Sequence, residues 1–424
     1  MKIVALIAEY NPFHNGHLYH MEKAKEAAGA DTVLVVMSGD YVQRGAPALL
    51  PKHLRAQMAL ESGASVVLEL PVCYAAGSAE YFAAGAVALL DSLQCVDAVC
   101  FGSECGNIQM LSSIARILAD EPDRYKSALK ASLREGRSFP KSRQMALEAY
   151  SCSGYGNVAL PETNILAEML SHPNNILGIE YLKALYHSGS KIEPYTIRRV
   201  GSGYHADFLS ERYGCASAIR NVVSLQEDSI SDVIPLLRQH MPASSLQILS
   251  DAFHVRYPVF ADDFSLLLKH RLLSESATSL PRYMDVTEGI ANRIMRNLDC
   301  FLSYTQFCGL LKTKELAYTR ISRCLLHILL GITAADIRSY KKNGLCQYAR
   351  ILGFRKDRKD ILSLLKKSAS VPLITKLTRT DPLSGIGETM LNTEIAASDL
   401  YESILTDKYK TPFINAYRQQ IVRV

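Results

Sequence analysis

The chain has 424 residues, 47 Lys and Arg against 42 Asp and Glu, and an apolar content of 48%, enough for two or three domains around a sizeable core. No apolar run approaches the roughly 18 residues of a membrane helix, and the short apolar start at residues 1–7 runs at once into Glu9, Asn11 and Pro12, so it reads as a strand rather than a signal peptide. None of the ten cysteines forms a Cys-x-x-Cys pair, which argues against a zinc ribbon or a thioredoxin-like motif. They read instead as buried thiols of a cytoplasmic, reducing environment.

The first hundred residues alternate regularly. Runs rich in Val, Ile and Leu at 3–8, 32–37, 66–70 and 96–101 have the character of strands buried on both faces. Helical patterns fill the gaps at 17–28, 51–62 and 79–93, the second opening on Pro51. Such alternation implies a parallel sheet with right-handed crossovers, which binds ligands beyond the carboxyl ends of its strands. Residues 106–150 read as helical, 151–163 as a loop, 175–188 as a helix, 192–200 as a strand and 216–226 as a helix. A boundary is expected near Pro242, dividing a domain at 1–243 from a mostly helical domain at 244–424, with a short strand at 371–377.

Charge is unevenly spread. Residues 241–424 hold 26 basic and 17 acidic side chains, and 311–380 hold 16 and 4. A surface of that kind attracts phosphates; the same residues also suit solvated helix faces.

The most informative stretch is Asn11-Pro12-Phe13-His14-Asn15-Gly16-His17, between the first strand and the first helix. A helix N-terminus there offers free N–H groups and a partial positive charge to a phosphate. Two histidines at the junction can donate hydrogen bonds to a triphosphate and stabilise the charge that develops on phosphorus. Gly16 leaves room for a purine against the backbone.

These residues resemble the His-x-Gly-His nucleotidylyltransferase-like superfamily, and more closely the bacterial tRNA(Met) cytidine acetate ligase family. The resemblance rests on Glu9 to His17, Met37-Ser38-Gly39-Asp40-Tyr41-Val42-Gln43-Arg44-Gly45, Phe101-Gly102-Ser103-Glu104, Pro173-Asn174-Asn175-Ile176-Leu177-Gly178, Tyr204-His205, Leu311-Lys312-Thr313-Lys314 and Thr319-Arg320-Ile321. It implies an α/β fold with a Rossmann-like parallel sheet and a mostly helical C-terminal domain. The implied reaction joins acetate to ATP as acetyl-adenylate, then acetylates the wobble cytidine of elongator tRNA(Met) to N4-acetylcytidine. The implied ATP site is the loop Ile7, Ala8, Glu9, Tyr10, Asn11, Pro12, Phe13, His14, Asn15, Gly16, His17, Leu18, Tyr19 and His20, with Gly102, Asn174 and Arg199. His14 and His17 would be catalytic.

Some alternatives stay open. Asn175 adjoins Asn174 and Arg198 adjoins Arg199, so each assignment holds to within one residue; a helix cap and a surface ion pair are the plain roles of Asn174 and Arg199. Cys215-Ala216-Ser217-Ala218-Ile219-Arg220 resembles the superfamily's second signature, with Ser217 and Arg220 as candidate phosphate ligands. Asp40 could orient a histidine or a metal-bound water, or simply shape a turn. Lys312, Lys314, Arg320 and Arg323, expected within one helical stretch, are candidates for tRNA contact. Mg²⁺ would suit a pyrophosphate leaving group, but no residue pattern assigns it ligands. Two other activities use overlapping parts: a small-molecule adenylyltransferase, and an RNA-binding protein on a relic nucleotide fold.

Overall fold

The computed structural model describes residues 1–152, 162–199, 215–226, 229–377, 383 and 385–424. Most of the loop expected at 151–163 and the Tyr204-His205 pair lie outside the described residues.

The apolar runs form the strands of one sheet: β1 (Ile3–Ala8), β2 (Thr32–Ser38), β3 (Val66–Leu70), β4 (Ala98–Ser103) and β5 (Glu193–Arg198). They lie side by side in the order β3-β2-β1-β4-β5, every pair parallel. Side chains alternate between the two faces, as the strand period of two requires. Ile3 and Ala5 enter one apolar cluster, with helices α3 (Ala79–Leu93) and α4 (Pro173–Ser188). Val4 and Leu6 enter the other, with α1 (Asn15–Ala28), α2 (Lys52–Glu61) and α5 (Ala216–Ser224). This is the Rossmann-like sheet covered on both faces, with the strand order reversing at β1.

The sheet then continues into the second half of the chain. β6 (Ala349–Phe354) runs antiparallel to β3, and β7 (Leu373–Ile374) and β8 (Val422–Arg423) pair parallel with β6. The eight strands thus come from both sides of residue 243. Between them lies a helical region with its own apolar cluster, from Leu268 to Ile328. It includes α6 (Tyr318–Leu330), whose serine and arginine face a short hairpin, Tyr41–Val42 against Ala46–Pro47. A Cβ on Gly45 of that hairpin would fall 2.4 Å from the Arg323 nitrogen, so only glycine allows the approach, and its φ of 77° favours glycine too. The long helix α7 (Ile386–Tyr409) crosses back onto the first half, where Tyr401 donates to the Ala48 carbonyl at 2.8 Å. No helix among the described residues is long and apolar enough to cross a membrane.

Candidate functional site

The site is built where β1 gives way to α1. His14 is the N-cap of α1: its Nδ1 accepts the Gly16 N–H at 3.0 Å, while its own backbone N–H donates to His17 Nδ1 at 3.2 Å. An imidazole nitrogen that accepts a hydrogen bond carries no proton. Both rings are therefore held with the proton on Nε2, free of the capping bonds. They stack at 3.7 Å, and Tyr10 packs edge-on against His17 at 4.9 Å. Burial, then the charges of Arg199, Arg220 and His240, pushes His14 down to about 3. Burial and His14 push His17 well below the ordinary range, and burial and Arg199 bring His20 to about 4. Two neutral N–H donors thus stand at the helix N-terminus. Gly16 is required there for a reason the sequence did not show: a Cβ would fall 2.8 Å from His14 Cε1.

The loop is strapped from several sides. Asn11 Oδ1 accepts the Leu49 N–H at 2.7 Å, and Asn11 precedes a cis Pro12. The Asn15 N–H donates to the His240 carbonyl at 2.8 Å. Glu9 receives the Gln43 N–H on its carboxylate at 2.9 Å. Ile7 and Ala8 close β1, Phe13 is buried under Tyr10, Leu18 packs against the core, Tyr19 is half-buried on α1, and His20 meets Cys100 Sγ at 3.8 Å.

Gly102 is the penultimate residue of β4, at the same sheet edge. A Cβ there would lie 3.3 Å from the Arg199 side chain, whereas Arg198 lies over Gly106. Successive strand residues face opposite ways, so Arg199 is the arginine whose charge acts on His14, His17 and His20. The two asparagines also separate. Asn175 is buried and fully engaged: its Oδ1 accepts from Glu104 and Cys105 N–H, and its amide donates to the Met169 carbonyl. Asn174 is half-buried and gives its amide to Glu104 Oε1 at 2.6 Å. Glu104, part of the Phe101-Gly102-Ser103-Glu104 motif but given no role from sequence, caps α4 through the backbone N–H groups of both.

Other expected residues are placed differently. Arg220 holds the loop itself, donating to the Asn11 carbonyl at 2.7 Å and to Ser217 Oγ at 3.0 Å. Asp40 is buried; it accepts from the Lys52 N–H at 2.8 Å and from Ser398, and its carboxylate lies 3.3 Å from Lys52 Nζ. Lys312, Lys314, Arg320 and Arg323 do not share one helix. Thr313 Oγ1 accepts from the Glu315 and Leu316 N–H groups, a local turn that competes with helix. Lys312 and Lys314 are exposed around that turn, while Arg320 and Arg323 are on α6. Arg323 is largely buried, its Nε 3.9 Å from Asp285.

Sequence reasoning also missed two buried basic residues on α2. Lys52 meets Glu69 at 2.7 Å and Glu394 at 3.7 Å, and Arg350 meets Glu69 at 3.0 Å. One turn later the fully buried Arg55 donates to four main-chain carbonyls: Leu50 at 3.0 Å, Glu9 at 2.5 Å, Ser38 at 3.2 Å, and Gly39.

The sequence pattern of the family described as HIGH Nucleotidyl Transferase matches residues 1–414. A tRNA(Met) cytidine acetate ligase of Acetivibrio thermocellus is 40% identical, over all of this chain and 99% of its own length. One of Clostridium acetobutylicum is 41% identical over the whole of both chains. The crystal structure of Thermotoga maritima TmcAL without ligand superposes with a TM-score of 0.91 at 32% identity, and that of the same protein bound with alpha-thio ATP at 0.88, each over the whole of both chains.

Proposed function

Because the chain belongs to the tRNA(Met) cytidine acetate ligase family, within the HIGH nucleotidyl transferases, we propose that it activates acetate with ATP and transfers the acetyl group to the wobble cytidine of elongator tRNA(Met). The observation that carries this reading is the pair of neutral imidazoles, both with Nε2–H, at the N-terminus of α1. That is the hardware for a reaction at phosphorus, where fixed donors meet charge as it develops.

The ATP phosphates lie against the loop from Ile7 to His20, with Arg199 as their cationic partner. Gly102 gives the nucleotide close access to the end of β4, and Asn174 serves it with the carbonyl side of its amide. In the first step an acetate oxygen attacks the α-phosphorus. The bond to the bridging oxygen breaks, pyrophosphate leaves with its electron pair, and acetyl-adenylate remains. His14 and His17 hold the extra charge through Nε2–H without giving up a proton. In the second step the exocyclic amine of cytidine attacks the acetyl carbon. The carbon–oxygen bond to the phosphate breaks, AMP departs, and the amine loses one proton. Mg²⁺ would suit the pyrophosphate leaving group and would be carried mainly by the triphosphate oxygens; among the described residues no group of three His, Cys, Asp or Glu side chains is placed to hold a cation. The compartment of this reaction is the cytoplasm, where tRNA is found.

The tRNA is assigned to the first of two basic sets. Lys312, Lys314 and Arg320 lead into the contact between α6 and the Gly45 turn, two residues from the Gln43 that bonds Glu9. The set from Arg355 to Lys359 lies at the other edge. The Arg355 N–H donates to the Ser65 carbonyl before β3, and Arg358 reaches Asp31 and Thr32 at the start of β2. The strands separate these edges by roughly 20 Å.

A mass spectrum of tRNA nucleosides from a strain lacking the gene tests the whole reading. Loss of N4-acetylcytidine from tRNA(Met), restored by the wild-type gene and not by His14→Ala, is expected. Unchanged N4-acetylcytidine would end it, and would turn attention to a small-molecule acceptor.

A further inference from the structure

Arg55 was not among the expected ATP-site residues, yet it bonds the main chain of one of them, Glu9, and is joined to both strands that frame the site. Its guanidinium binds the Glu9 carbonyl, at the residue where β1 turns into the histidine loop. The same group binds the Ser38 and Gly39 carbonyls, where β2 ends, and its Nε binds Leu50. The residue after Glu9 is Tyr10, with a φ of 47°, and its ring packs on His17. The residue before Leu50 is Leu49, whose N–H holds Asn11. Thus one side chain ties down both ends of the path from β1 to the rings.

Its charge is unusual as well. Among the described residues no carboxylate makes a direct ion pair with it; its N–H groups bond four carbonyl oxygens instead. Burying a cation is costly; burial lowers the Arg55 value, and the charges of Asp40, Glu9 and Glu69 offset that from beyond contact while the four carbonyls bond it directly. A planar fork with five N–H groups can reach three chain segments at once, which an ammonium on a flexible stem cannot. The cation bonds the main chain of the loop that receives the triphosphate, at Glu9, in surroundings that screen it little.

We propose that Arg55 is a positioning residue for the adenylation step: it fixes the backbone from which His14 and His17 project, and sets a permanent positive charge beneath the α-phosphate. This rests on the functional reading above. Arg55 acts through the Glu9 carbonyl and the Tyr10–His17 contact, so it governs how the α-phosphorus is presented more than how tightly ATP is held.

The test compares Arg55→Lys with wild type and with Arg256→Lys, which disturbs a comparable two-pronged contact, to Glu402, away from the loop. Three quantities are measured: melting temperature, kcat and KM for ATP in acetate-dependent ATP–pyrophosphate exchange, and the ³¹P resonance of the α-phosphorus of bound ATP. In Arg55→Lys we expect kcat to fall at least tenfold per folded enzyme, KM for ATP to stay within about threefold, and the α-phosphorus resonance to move. Arg256→Lys should lower the melting temperature alone. An Arg55→Lys enzyme with wild-type kcat per folded molecule and an unmoved resonance overturns the proposal, whatever its melting temperature. Should wild type give no exchange with acetate, the functional reading fails, and the ³¹P comparison by itself decides the role of Arg55.

Discussion

Glu69 of β3 and Glu394 of α7 meet over Gly39, where a Cβ would fall 2.5 Å from one carboxylate and 3.1 Å from the other. With Asp40 they face Lys52 and Arg350, three acids against two bases, all buried. Burial and Glu69 raise Glu394 well above the ordinary carboxylate range, whereas Arg350 and Lys52 overcome burial and bring Glu69 to about 2. A proton kept on Glu394 makes the cluster neutral. Glu394→Gln should then cost little, since an amide replaces a protonated acid. Lys52→Met should cost about 3–5 kcal/mol, the scale of breaking a buried pair. The sign for pH follows: a raised folded value gives stability that is lost as pH climbs through it, so Glu394→Gln should flatten the alkaline limb of a urea-denaturation profile. Equal loss in both variants would mean that Glu394 is ionised.

His14→Ala and His17→Ala should each slow ATP–pyrophosphate exchange by about 10²-fold or more, the effect of losing one transition-state donor. ATP affinity should fall less. Wild-type exchange in both variants would remove them from the chemistry.

The low folded values of His14 and His20, about 3 and 4 against an ordinary 6.5, carry a second consequence. As pH falls below 6.5 the unfolded chain takes protons first, so the folded state loses stability down to those folded values. His20→Gln should therefore be less acid-labile than wild type between pH 6.5 and 4. Because each Nδ1 already accepts a backbone N–H, the rings should stay neutral when the triphosphate binds. Calorimetry of ATP binding at pH 8 in two buffers of different ionisation heat should show no net proton uptake, and uptake would contradict the assigned tautomers.

Removing charge at Lys312, Lys314 and Arg320 should weaken tRNA binding and flatten its salt dependence, by roughly 0.7 to 0.9 units of log–log slope per lost phosphate contact. Exchange without tRNA should stay nearly intact. Alanine at Lys356 and Lys359, on the other edge of the sheet, should change neither. Filter-binding titrations over a salt series decide this, and an effect of the second pair equal to the first would relocate the RNA.

The sequence was most legible where strands are buried on both faces. β1 and β3 have the bounds expected from their Val, Ile and Leu runs. β4 begins two residues later than expected, because Asp97 turns its carboxylate to the Ile3 N–H at 2.7 Å instead of entering the strand. β6 was hidden: Ile351-Leu352-Gly353-Phe354 is too short an apolar run to tell strand from helix, and basic residues surround it. The loop histidines could be read from order alone, but their tautomers could not. Asn174 and Asn175 were equivalent until Glu104 distinguished them. Lys52 and Arg55 gave no sign, since their partners come from strand ends and from residues some 300 positions away.

The pairing of β3 with β6 has a cost in time. β3 emerges early in synthesis, while the strand that covers its edge lies roughly 280 residues later, a wait of tens of seconds at about 5–20 residues per second. Until then a nascent sheet already holding the histidine loop presents an open row of N–H and C=O groups on a strand of Val-Val-Leu-Glu-Leu. Such an edge templates pairing with neighbouring chains. Glu69 places a charge near the end of that strand, its fourth residue of five, and until Lys52 and Arg350 pair with it the same carboxylate guards the unfinished edge against aggregation.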